Sequence, residues 1–139
     1  MSLTVTIPVS VGELCDKISI LDLKVKSLAA SGRVDALANV QTEHDLLIAE
    51  LQTTVEGRLA GADVVRLSQL RDSLLLTNSA LWGIEDNIRA CEAKQDFGPE
   101  FIHLARAVYQ ANDRRYRIKR EIDTLTGSAV KEEKQYTVY

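Results

Sequence analysis

The chain has 139 residues, 45% of them hydrophobic and 27% charged, which fits one globular domain and excludes wholesale disorder. Seven Gly and two Pro are too few for a turn-dense β-sandwich and favour long uninterrupted elements. A net charge of −3 argues against a generic nucleic-acid surface or an anionic-membrane surface.

The first residues alternate, with Leu3, Val5 and Ile7 against Ser2, Thr4 and Thr6, a strand period that Pro8 ends. Ser10 and Glu13 form an S-x-x-E capping box, so a helix is expected over about 11–30, ending at Ser31-Gly32. Leu14, Ile18, Leu21, Val25 and Leu28 give it a heptad seam, while Ile20 and Leu23 predict cover on more than one side. The second helix is expected over about 34–59, with the seam Leu37, Val40, His44, Leu47, Leu51 and Val55. A third, over about 63–94, starts at Asp63 as N-cap and carries Leu67, Leu70, Leu74, Thr77, Leu81, Ile84, Ile88 and Cys91. Thr77-Asn78-Ser79 and Gly83 are its weakest helix formers and a candidate bend. Asp96-Phe97-Gly98-Pro99 breaks the chain before a fourth helix over about 99–126, with Pro99 in its first turn and Gly127 at its end. Its seam is Phe101, Leu104, Val108, Ala111, Arg115, Ile118, Ile122 and Leu125.

Four heptad-patterned helices with short links predict an all-α fold, an antiparallel up-down bundle with coiled-coil-like seams. In that arrangement the two tails meet at one end and are expected to pair as a two-stranded ribbon. The third and fourth helices outreach the first, and a protruding apolar seam calls for a partner, most simply a second copy. No apolar run approaches the roughly 18–20 residues of a membrane span. The start MSLTVTIPVS lacks the regions of a signal peptide, and Cys15 and Cys91 read as reduced core thiols, so a cytoplasmic setting is expected.

Arg115 is the informative anomaly, a charge on a seam between Ala111 and Ile118. A charge there needs a carboxylate or an anionic ligand. His44 holds the equivalent place on the second helix, and Glu85 sits one residue after seam Ile84. Lys17, His44, Glu85, Asn112 and Arg115 are therefore the candidate polar layer, either fixing register or binding a small anion such as a sugar phosphate or nucleotide. The remaining charges read as i,i+4 pairs on exposed faces, among them Glu13–Lys17 and Asp22–Lys26. The basic run from Arg114 to Arg120 spreads around the helix, and only Arg114, Arg117 and Arg120 share a face, so no nucleic-acid partner is expected. Glu100-x-x-His103 resembles half of a di-iron unit, but its nearest companion, Gln41-x-x-His44, has Gln where Glu is required, so no metal site is expected. No G-x-S-x-G, Gly-rich phosphate loop or C-x-x-C is present, so no catalytic residue or cofactor is assigned.

Three stretches carry a family resemblance: Gly12-Glu13-Leu14-Cys15-Asp16-Lys17-Ile18-Ser19-Ile20-Leu21, Leu81 to Arg89, and Phe101 to Asp123. Together they resemble a family of short, uncharacterised bacterial helical proteins, sometimes encoded near surface-polysaccharide genes. The resemblance spans nearly the whole chain and implies a bacterial cytoplasmic protein, but it brings no catalytic residues. Two weaker enzyme analogies concern single features. Arg115 and Lys17 resemble the anion-binding pair of all-helical chorismate mutases. Glu13-Leu14-Cys15-Asp16 resembles half of the Mg²⁺-binding motif of all-helical nucleotide pyrophosphatases.

Overall fold

The structure, a computed structural model, describes residues 2–139. Four helices follow in order: α1 (Val11–Ser31), α2 (Val34–Glu50), α3 (Gly61–Ala93) and α4 (Pro99–Thr126). They pack as an all-helical bundle, with α1 touching α2, α3 and α4, and α3 lying along α4. No helix among the described residues is long and apolar enough to cross a membrane.

The seams account for the packing. Leu14, Cys15 and Ile18 of α1 meet Leu67, Leu70 and Leu74 of α3 and Ile122 of α4, and Leu51 and Val55 close the cluster. Full burial ends at Leu21 on α1, and α2 buries no residue fully. Gly32 and Gly127 take left-handed backbone at φ 69° and 65°, a conformation that Gly adopts without a Cβ penalty, and each ends its helix as expected.

Several expectations need correction. The second α-helix stops at Glu50, not near Leu59, and continues as a π-helical turn, Leu51–Val55, and a 3₁₀ turn, Glu56–Arg58. Leu51 and Val55, four residues apart at the two ends of the π turn, are both buried in the core. Asp63 lies inside α3, whose N-cap is Ala60. The weak stretch around Asn78 does not interrupt α3, because Asn78 is buried and bonded to α1. The two tails form no ribbon: no strand is present among the described residues, residues 2–9 are exposed, and the C-terminal segment lies along α4.

Candidate functional site

The start of α1 is fixed from three parts of the chain. Its first three backbone N–H groups would otherwise lack partners. The N–H of Val11 donates to Ser128 Oγ at 3.2 Å, that of Gly12 to Asp123 Oδ1 at 2.7 Å, and that of Glu13 to Ser10 Oγ at 3.0 Å. Only half of the expected capping box forms, since the Glu13 side chain reaches across to Lys119 rather than back to its own helix. Gly12 permits the approach: a Cβ there would lie 2.5 Å from the Lys119 carbonyl oxygen.

One turn further along α1 lies Asp16, whose side chain is 0% exposed. Arg115 grips it with two bonds, Nε donating to Oδ1 at 2.9 Å and Nη2 to Oδ2 at 2.5 Å. Such a bidentate fork is the strongest form of this pair. Asn78 Nδ2 donates to Asp16 Oδ1 at 2.9 Å and to Ser19 Oγ at 2.5 Å. Lys119 Nζ stands 3.7 Å from Asp16 Oδ2 and is held by Glu13 and Glu132, each at 2.6 Å. Arg115 Nη1 also donates to Asn112 Oδ1 at 3.3 Å.

Ionisation follows the geometry. Burial alone pushes the Asp16 carboxyl up, but hydrogen bonds from Arg115 and Asn78 outweigh it and hold the carboxyl below its ordinary value. Lys119 likewise loses solvent yet is raised, through Glu13 and Glu132. Asp123 goes the other way: burial raises it, and its Oδ2 is buried without a hydrogen-bond partner. Cys15 is pushed up to about 12 by burial, so it is an inert thiol rather than a nucleophile.

Of the expected layer, the structure brings together Arg115 and Asn112. Glu85 is not the partner of Arg115; it is exposed and shares only the rim of a cleft with it. Lys17 is exposed, on the side of α1 opposite its buried neighbours. His44 bonds Asp22 of α1 at 2.6 Å, in a separate contact between α1 and α2. Glu13 and Asp22, expected to pair along their own helix, thus cross to other helices. Glu13 and Asp16, the half-motif of Mg²⁺ binding, are both engaged by cations of α4. Asp16, Ser19, Asn78, Asp123 and Ser128 are buried polar residues that the sequence does not single out for the layer, and Lys119, beside seam Ile118, joins them. For Asp16 and Ser19 the available signal was their place beside the seam of the one helix expected to be covered on more than one side; for Asn78, Lys119 and Asp123 it was adjacency to a seam residue alone.

Two hollows flank Arg115. One, of about 750 Å³, lies between α4 and the C-terminal segment and is lined by Tyr109, Asp113, Tyr116, Lys134 and Tyr139, among others. The other, of about 450 Å³, lies where α1, α3 and α4 meet, with Ile20, Leu23, Trp82 and Glu85 on its walls. Comparison with protein-family models, with curated proteins and with solved structures finds no match to this chain.

Proposed function

We propose that the chain is a non-catalytic helical interaction module that associates with a second copy of itself. The observation that carries this reading is how Arg115 is used. Its guanidinium grips a fully buried aspartate, so the charged layer serves to set the register of α1 against α4. Pairings from Gly12 with Asp123 to Asp16 with Arg115 step in opposite senses along α1 and α4, which supports an antiparallel up-down order.

Self-association is supported by a second stripe on α4. Ile102, Ala105, Tyr109, Asn112 and Tyr116 follow one another at spacings of 3, 4, 3 and 4, each one residue after a core-seam position; the C-terminal segment lies over Tyr109 and Tyr116, and the Ile102 end is open. Ile102 is 57% exposed at its start, in line with Tyr109, which is also exposed. A second copy laid against the Ile102 end would cover it. A cytoplasmic setting suits the two free buried thiols.

A small-ligand reading draws on the hollow beside Arg115. An anionic ligand has less support than the sequence suggested, because Arg115, Lys119 and Lys134 each already face a carboxylate. Size-exclusion chromatography with light scattering tests the main reading. A dimer in the micromolar range is expected, with Ile102→Glu giving a folded monomer. A wild-type monomer throughout that range would overturn it.

A further inference from the structure

All four tyrosines of the chain, Tyr109, Tyr116, Tyr136 and Tyr139, line the larger hollow. Its cations are matched: Arg115 by Asp16, Lys119 by Glu13 and Glu132, Lys134 by Asp113. The smaller hollow shares Asn112 and Arg115 with it and adds Glu85, Asp86 and Arg89. With each cation that lines the larger hollow engaged by a carboxylate, none is left free for an anion, and the tyrosine rings beside Asp113 suit a positive group.

The larger hollow already holds such a group. Lys134 Nζ lies 5.5 Å from the ring centre of Tyr116 and 5.4 Å from that of Tyr136, within the range of cation–π attraction. It donates to Asp113 Oδ1 at 2.7 Å, and the Tyr139 hydroxyl donates to the other oxygen of the same carboxylate. Tyr109 packs edge-on against Tyr139, with ring centres 5.1 Å apart. Two ring faces and an ionised carboxylate around one ammonium form an aromatic cage. Lys134 enters it from a segment with no helix or strand of its own, attached to α4 largely by polar contacts.

We propose that this cage is a receptor for an alkylammonium group, a lysine or methylated lysine side chain presented by a protein partner, and that Lys134 is its built-in occupant, displaced when the partner binds. This deepens the interaction-module reading by naming the partner's chemistry. The cage shares Tyr109 and Tyr116 with the stripe offered to a second copy, whereas Ile102 lies outside it, so light scattering with Ile102→Glu reads self-association separately from the cage.

The test titrates tetramethylammonium chloride into wild type, Lys134→Ala and Lys131→Ala, following tyrosine ring signals by NMR against sodium chloride at equal ionic strength. Lys134→Ala is expected to show saturable shifts at Tyr116 and Tyr136, about tenfold tighter than wild type, the scale of a cation–π contact. Lys131→Ala, with the same change of net charge, should match wild type, and adding Asp113→Asn to Lys134→Ala should abolish the gain. No saturable shift in Lys134→Ala, or an equal gain in Lys131→Ala, would overturn the proposal. A lysine peptide with blocked termini is expected to bind Lys134→Ala as well; binding of tetramethylammonium alone would overturn the protein source. A second measurement needs no change to the segment. After reductive ¹³C-methylation of wild type, the Lys134 dimethylammonium signal should lie upfield of the other lysines, and Tyr116→Leu should remove that shift. A Lys134 signal among the others would overturn the occupancy.

Discussion

Two carboxylate–cation systems tie α4 to another part of the chain, and they differ in what surrounds them. Inside the bundle, Asp16 has no exposure and Arg115 keeps 28%. On the outside, Arg120 holds Glu133, which is 79% exposed, and Lys134 holds Asp113 with both side chains part-exposed, so that neither partner is shut off from water as Asp16 is. The chemistry of the pairs is similar, but the solvent is not. A buried ion left without its partner is strongly unfavourable, whereas an exposed pair trades readily with water and is screened by salt. The inner system is therefore suited to fixing a structure and the outer one to letting a segment go.

The largest expected effect breaks the inner system. Asp16→Ala leaves Arg115 and the buried Lys119 without their common anion and should cost about 3–5 kcal/mol, measured by urea denaturation. The pH dependence has a definite sign. The folded state lowers the Asp16 carboxyl, so its stabilisation is present above the unfolded value, about pH 4, and is lost as pH falls through the folded value. Asp16→Ala should flatten that part of the acid limb. Asp123, raised by burial, contributes in the opposite sense: its term favours folding below the ordinary carboxylate range and fades as pH rises through the folded value.

Gly12→Ala comes next. The new methyl would sit 2.5 Å from backbone, which cannot rotate away, so α1 and α4 must separate. A loss of about 1–3 kcal/mol is expected by the same denaturation assay. The smallest effect belongs to the outer system. Raising salt to about 1 M, where screening reaches within a few ångströms, should release residues 131–139 with little change in the unfolding midpoint. Backbone ¹⁵N relaxation of that segment against the midpoint would separate the two systems; a midpoint that falls together with release would join them.

The seams were legible because heptad spacing is local: Leu14, Ile18, Leu67, Leu74 and Ile122 stand in the core where their spacing puts them. Arg115 was legible as an anomaly for the same reason. Its partner was not, because that depends on how far α1 is rotated and slid against α4, and spacing within one helix does not fix this. Glu85 is near the right level but on an exposed face, whereas Asp16 lies beside the seam of a helix covered by three others. Asn78 was read as a weak helix former when its polarity answers Asp16. The C-terminal segment, expected to pair with the N-terminal one, instead has its place set by Glu132, Glu133 and Lys134 meeting α4. Propensity says little where charge decides.

The central claim, that Arg115 and Asp16 form an internal lock, is tested most directly by a double-mutant cycle. Asp16→Ala, Arg115→Ala and the double variant would be compared with wild type by urea denaturation at neutral pH and low salt. A lock predicts that the double variant is less damaged than the sum of the singles, with a coupling of about 2–3 kcal/mol. Single effects that add to within about 0.5 kcal/mol would mean that the two residues act independently, and would contradict the account.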